Sequence, residues 1–250
     1  LAGRLANGPL AGWLERRYGG RLLATPEALR ERLGRPRRIL CLGNGPSSLS
    51  PEAAAAGHDL LLRVNWRWST DPATPAAHRR PGLVLVGDAA TPERIAAPLF
   101  ACQNRGTART LLLRRLLRGR RPTFRLLLLE ESFPDLAAAA AAKPTNGAWM
   151  VAVAAALRPD ELAIAGIDLY SHPQGRYAWD GRGANAYARV HERGAELDFM
   201  RRALSDYGGR LEILSPPLAA ALAPTTPEDW KDRAHEFPDQ TPRPPGAAGA

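Results

Sequence analysis

The chain has 250 residues, 45% of them hydrophobic, and a net charge of +9 from 34 basic against 25 acidic side chains. That length holds one large domain or one domain with appendages, and the apolar content is ample for a core. No apolar run approaches the roughly 20 residues of a membrane-spanning helix, two cysteines make no disulfide framework, and no Cys/His spacing reads as a zinc site.

Cys41 and Cys102 fit a reducing compartment, so a cytoplasmic location is expected. The chain starts at Leu1 rather than Met and reads as a piece of a longer protein, which leaves an upstream signal or anchor open. Lys143 and Lys231 are the only lysines, so the positive charge is nearly all arginine. A solvated basic surface is the plain reading of it. Attraction to anionic substrates or lipid head groups is the sharper one.

Residues 1–35 alternate apolar and Arg/Glu positions and predict a helical lead-in, with Thr25-Pro26-Glu27 as a helix start. From Pro36 the pattern becomes that of an α/β domain. Ile39–Leu42 is a continuous apolar run, the mark of a buried parallel strand, and it runs into Gly43-Asn44-Gly45-Pro46-Ser47. Glycine there lets a backbone approach a ligand closely. A helix or turn starts at Ser50-Pro51-Glu52. Leu60–Asn65 and Leu83–Val86 read as the next strands, the latter ending in Gly87-Asp88. Three strands thus end on Asn44, Asn65 and Asp88, as in a sheet that carries a site along its carboxyl edge.

Thr91-Pro92-Glu93-Arg94 opens another helix, and residues 107–121 form a basic amphipathic one. That helix is compatible with peripheral contact at the inner face of a membrane, although a solvated face is the plainer reading. Phe124–Leu129 is a fourth strand, and Pro134 to Lys143 a loop or weak helix. Thr145-Asn146-Gly147 then caps Ala148–Leu157, which is apolar at nearly every position, so a buried helix is expected. Its N-terminus offers an anion site. Leu162–Gly166 is a fifth strand, leading into Ile167-Asp168-Leu169-Tyr170. Residues 171–190, polar and aromatic with no apolar period, read as a lid. His191 to Tyr207 is helical, Leu211–Leu214 a last strand, and Pro216–Leu222 a closing helix. From 223 to 250 the chain is Pro-rich and expected to be largely disordered.

The set Gly43-Asn44-Gly45-Pro46-Ser47, Leu62-Arg63-Val64-Asn65, Pro144-Thr145-Asn146-Gly147, Gly166-Ile167-Asp168-Leu169-Tyr170 and His191 with Glu196 resembles the bacterial sialyltransferases of glycosyltransferase family 42. More distantly it is similar to the family 29 enzymes of animals. The resemblance covers about residues 36–222 and is strongest from Ala163 to Leu218. It implies a single Rossmann-like α/β domain, a parallel sheet flanked by helices, with a lid over about 171–190. The reaction it implies is inverting transfer of sialic acid from a CMP-sialic acid donor to a glycan or glycolipid hydroxyl, with no metal and no further cofactor.

Carried over by residue, Asn44 with Gly45, and Asn65, would hold the cytidine nucleotide, and Thr145, Asn146 and Gly147 the nucleotide or the donor carboxylate. Tyr170 and Tyr177 would donate to the departing phosphate, and His191 would be the general base. Glu196 is a candidate to orient its imidazole. His172 is the rival base, and Lys143 and Arg176 are candidates for phosphate or carboxylate. Asp168 is a site residue or a loop cap. The chemistry agrees, since phenol donors can stabilise an anionic leaving group without a metal and an imidazole suits proton abstraction from a sugar hydroxyl.

Two positions depart from the family: Asn146 stands for a small hydroxyl and Asp88 for an amide. A related CMP-activated acidic sugar fits the same logic. Two rival functions are an NAD(P)-dependent oxidoreductase, which lacks its third glycine and acidic partner here, and a degenerate nucleotide-binding domain without transfer activity. Nucleic acid is not an expected partner, because the basic helix lacks interleaved aromatics. A homo-oligomer is compatible with the sequence.

Overall fold

The computed structural model describes residues 13, 17, 22–23, 25–120, 124–174, 177–178 and 191–223. Most of the predicted lid, Arg176 within it, and the tail beyond residue 223 lie outside the described residues, as does most of the lead-in before residue 25.

The described residues form one eight-stranded, wholly parallel sheet. The strands are β1 (Leu22–Leu23), β2 (Arg38–Leu42), β3 (Leu60–Val64), β4 (Leu83–Leu85), β5 (Leu99–Cys102), β6 (Arg125–Leu128), β7 (Glu161–Ala165) and β8 (Arg210–Ile213). Their order is β1-β6-β5-β4-β3-β2-β7-β8. The chain therefore moves outward from β2 to β6, returns, and adds β7 and β8 on the other flank of β2. Open α/β sheets bind ligands outside the carboxyl ends of the strands at such a reversal.

The predicted α/β class and single parallel sheet are what the chain forms. Two strands were not predicted. β5 is four residues between Pro98 and Gln103, too short to show a period. Leu22–Leu23 lies in the predicted helical lead-in and pairs in parallel with β6. The helix expected after it does form, as α1 (Pro26–Arg32), with the Thr25 hydroxyl accepting from Ala28 N at 3.1 Å.

The remaining helices are α2 (Pro51–Ala55), α3 (Thr91–Arg94), α4 (Arg105–Leu117), α5 (Leu129–Ser132), α6 (Pro134–Ala139), α7 (Asn146–Ala156), α8 (Arg193–Leu204) and α9 (Pro216–Leu222). The decisive one is α7. It lies across β2, β3, β4 and β7, and every residue from Ala148 to Ala155 is buried. Burying each Val or Met there contributes about 1.5–3 kcal/mol, which fixes the position of its N-terminus. α8 covers α7, with the Phe199 and Trp149 rings edge to face at 4.9 Å.

On the opposite face α4 covers Val84, Phe100 and Leu126. Three of the arginines expected to make a basic surface over 107–121, Arg114, Arg115 and Arg118, make contacts within the chain, as does Arg105 just ahead of that range. Arg105 pairs with Glu131, Arg114 and Arg118 with Glu93, and Arg115 donates to Pro92 O at 2.9 Å. Among the described residues no helix is long and apolar enough to cross a membrane.

Candidate active site

The exits of β2 and β7 touch. Gly43 N donates to Ala165 O and Gly45 N to Gly166 O, each at 2.8 Å. A Cβ on Gly43 would stand 2.1 Å from Gly166 O, and one on Gly45 2.3 Å from Asp168 Oδ2. Gly166 itself has φ +71°, a conformation that costs glycine little. The glycines of this turn thus serve the approach of one strand exit to another. The sequence had pointed instead to the approach of a ligand.

Asp168 fastens this junction. Its carboxylate is 4% exposed and accepts from Ser47 N at 2.9 Å, from Ser47 Oγ and from Ser215 Oγ. Ser47 Oγ in turn accepts from Gly166 N at 2.7 Å. The exits of β2, β7 and β8 are therefore held by one carboxylate. Leu169 (φ +49°) and Tyr170 (φ +52°) follow in the left-handed region. Two consecutive side-chain-bearing residues there are strained, by about 1–3 kcal/mol each, and such strain gathers at functional sites. The turn is closed by Ser171 N and Oγ, both donating to Asp168 O at 2.9 Å.

The N-terminus of α7 forms the facing wall. Thr145 is its cap, with Oγ1 accepting from Ala148 N at 3.2 Å and donating to the Glu196 carboxylate of α8. The hydroxyl's proton and one acceptor position are thus engaged inside the protein. What this segment offers a ligand is the N–H groups of Asn146 and Gly147, which precede the first intrahelical bond. Gln103, at the end of β5, donates to Pro144 O at 3.0 Å and to Asn146 Oδ1 at 3.3 Å.

His191 stands two residues ahead of α8. Its Nδ1 lies 2.7 Å from Lys143 O. A carbonyl only accepts, so Nδ1 carries the proton, and in the neutral ring Nε2 is the bare nitrogen. The group orienting Nδ1 is thus the Lys143 carbonyl, where the sequence had suggested Glu196.

Asn44 is part-buried, and its Oδ1 is buried with no hydrogen-bond partner among the described residues. Its backbone carbonyl accepts from Ala178 N at 3.0 Å, which brings Tyr177 over the glycine turn. Asn65 is left-handed (φ +55°), and its Oδ1 accepts from Gly87 N and Asp88 N at 2.8 and 2.9 Å. Its carbonyl therefore pins the exit of β4, leaving the amide NH2 as the group for a ligand.

The cavity these walls enclose measures about 270 Å³ and is lined by Asn44, Gly45, Asn65, Thr145, Asn146, Gly147, Asp168, Tyr170, Tyr177 and His191. Two predicted residues do not line it. Lys143 contributes its carbonyl to His191. Asp88 accepts from Trp66 Nε1 at 2.7 Å and from Ala90 N at 2.8 Å. Burial works against its charge, but those two donors, with Arg114 and Arg67, outweigh it and hold the carboxyl below its usual range. The rival base His172 is not in the lining either. Glu196, 4% exposed, is a wall residue that the sequence weighed only as an orienting group. Ser47, Ser215 and Gln103 were not singled out. Their partners lie 121, 47 and 43 residues away, and no local pattern signals such contacts.

No model of a known protein family matches the chain, and no curated protein does. The fold does have solved relatives. Cst-I, a monofunctional alpha-2,3-sialyltransferase from Campylobacter jejuni, matches with a TM-score of 0.54 at 14% identity, over 76% of this chain and 82% of that one. CstII from Campylobacter jejuni, solved with the substrate analogue CMP-3FNeuAc, matches at 0.52 and 18% identity, over 76% and 89%. A structure of CstII with a trisaccharide acceptor and CMP matches at 0.51 and 19% identity, over 74% and 85%. The chain shares the fold of these sialyltransferases.

Proposed function

We propose that this protein is an inverting glycosyltransferase that moves sialic acid, or a related acidic sugar, from a CMP-activated donor to a hydroxyl of a glycan or glycolipid, without a metal. The observation that carries the reading is the cavity itself. It joins a histidine whose Nδ1 is seated on the Lys143 carbonyl, which in the neutral ring leaves Nε2 unprotonated, a helix N-terminus with open N–H groups, and the orphaned Oδ1 of Asn44. The shared fold supports it, because CstII is known with CMP and with a trisaccharide acceptor.

In this reading the Asn146 and Gly147 N–H groups and the Asn65 NH2 grip the anionic donor, helped by the α7 dipole. Asn44 Oδ1 accepts from a nucleotide N–H or O–H, which satisfies its buried oxygen. Tyr170 and Tyr177 donate to the phosphate as the glycosidic bond breaks, offsetting the charge that develops there. His191 Nε2 takes the proton of the attacking acceptor hydroxyl. One base and one leaving-group stabiliser suffice for single displacement, which inverts the anomeric centre. Asp168 belongs to the scaffold. The domain proposed for this chemistry is 36–222 with the lid, and the protein acts on cytoplasmic donor, with peripheral membrane contact an option for a glycolipid acceptor.

The test is calorimetry and thermal shift with CMP, CMP-sialic acid, NAD and UDP, followed by transfer assays of the wild type and His191→Ala. CMP and CMP-sialic acid bind and stabilise, NAD does not, and His191→Ala loses roughly 10²–10⁴-fold in kcat, the range for a general base. Stabilisation by NAD without CMP, or an unimpaired His191→Ala, refutes the reading.

A further inference from the structure

The segment Lys143-Pro144-Thr145 is a strut between two halves of the site. From one side Gln103 Nε2 holds Pro144 O at 3.0 Å. From the other, the entry of α8 holds it at two points: His191 Nδ1 on Lys143 O at 2.7 Å, and Glu196 on the Thr145 hydroxyl. His191 is outside α8, so no helical bond fixes its ring. Glu196 is inside the first turn, where its N–H donates to Glu192 O at 3.0 Å, and its carboxylate is buried. Thr145 is also the cap of α7. The Glu196–Thr145 contact therefore joins the entry of α8, next to the imidazole, to the cap of α7.

We propose that Glu196 is a positioning residue for His191. By latching the first turn of α8 onto Thr145, it keeps Nδ1 seated on the Lys143 carbonyl and Nε2 turned into the cavity, at a fixed offset from the donor-binding end of α7. This rests on the reading of His191 as the base. The carboxylate acts as a hydrogen-bond acceptor in this role, so a glutamine, whose Oε1 also accepts from a hydroxyl, retains most of it. Methionine, of similar length and with no comparable acceptor, does not.

The test compares Glu196→Gln and Glu196→Met in the full chain, with ¹⁵N imidazole spectra, CMP titration, and steady-state transfer. In the wild type the His191 ring is a single Nδ1–H tautomer. Glu196→Met gives a tautomer mixture and a kcat lower by on the order of 10²-fold, the scale of loss for a misplaced reacting group, with the Kd for CMP within about threefold. Glu196→Gln loses far less of both. In a His191→Ala background, Glu196→Met brings no further loss, because two residues acting as one unit are not additive. An unchanged tautomer or kcat in Glu196→Met overturns the proposal. So does a loss of the same size with and without His191. A wild type that binds no CMP overturns the site reading and this inference together, whereas intact CMP binding with an indifferent Glu196→Met overturns the inference alone.

Discussion

Asp168 offers the sharpest separation between a residue that binds a ligand and one that builds the site. Its carboxylate lines the cavity, yet it accepts from Ser47 N, Ser47 Oγ and Ser215 Oγ within the protein. Asp168→Asn keeps one acceptor oxygen and removes the other. The hydroxyls can turn, but Ser47 Oγ already accepts from Gly166 N, so about one charge-assisted bond is lost without replacement. Such a bond contributes about 1.5–3 kcal/mol. At about 2–4 °C per kcal/mol for a chain of this size, Tm falls by roughly 3–12 °C. Asp168→Ala strands two donors, Ser47 N and the Ser47 hydroxyl, because Ser215 Oγ can turn to Ile167 O at 2.8 Å. At about 1–3 kcal/mol each that is a sizeable part of the roughly 5–15 kcal/mol that holds a domain folded.

The assay is denaturation by heat and urea, with CMP titration below the transition. Asp168→Asn is destabilised by about 1.5–3 kcal/mol, and its folded fraction binds CMP with a Kd within a few-fold of wild type. Full stability combined with a tenfold or greater loss of CMP affinity would mean that the carboxylate faces the ligand, and the scaffold assignment would fail.

The glycines divide in the same way. Gly43→Ala forces a methyl to within 2.1 Å of Gly166 O and is expected to cost several kcal/mol in urea denaturation, since two backbones must part. The methyl of Gly147→Ala would meet Thr145 Oγ1 at 3.4 Å and Ile167 at 3.8 Å, ordinary contacts, so the fold survives while CMP affinity falls as the methyl crowds the α7 N–H groups. His78 supplies an acid limb. Burial, with the charges of Arg63 and His58 adding to it, pushes its pKa down to about 4, against about 6.5 unfolded. Above 6.5 neither state is charged. From 6.5 down to 4 the unfolded chain takes a proton that the native state refuses, so stability falls by at most about 3–4 kcal/mol. It levels off below 4 as far as this group is concerned. Urea midpoints across that range check it, and a His78→Gln variant with the same slope as wild type refutes it.

Much of this site could be read from the chain because parallel strands buried on both faces advertise themselves. Ile39–Leu42 is an unbroken apolar run and Leu60–Val64 is apolar except for Arg63. The first ends one residue short of a cavity-lining asparagine, Asn44, and the second directly at one, Asn65. The all-apolar α7 with Thr145 ahead of it was equally plain. What could not be read depends on contacts between distant segments. Gly43 looked like a ligand turn because nothing local reveals that Gly166 O would stand against its Cβ. Asp168 looked like a site residue or a cap because Ser47 and Ser215 meet it only in the folded chain. Residues 107–121 read as a solvated basic face, and nothing local reveals that Glu93 would stand beside Arg114 and Arg118.

A cavity proposed for an anionic donor has two buried carboxylates in its walls, Asp168 and Glu196, each 4% exposed. A carboxylate beside a phosphate is costly unless its charge is taken up by donors at close range. Asp168 is so engaged, by an N–H and two hydroxyls, while Glu196 accepts from the Thr145 hydroxyl through Oε1. Their effect is to fix the groups that do face the ligand. Asp168 sets the β2 and β7 exits, and through them Asn44 and the strained Leu169-Tyr170 turn. Glu196 sets the entry of α8 against Thr145, and through it His191. Acceptors held in the frame thereby order the donors in the cavity, and the open amides and the helix dipole are left to meet the anion.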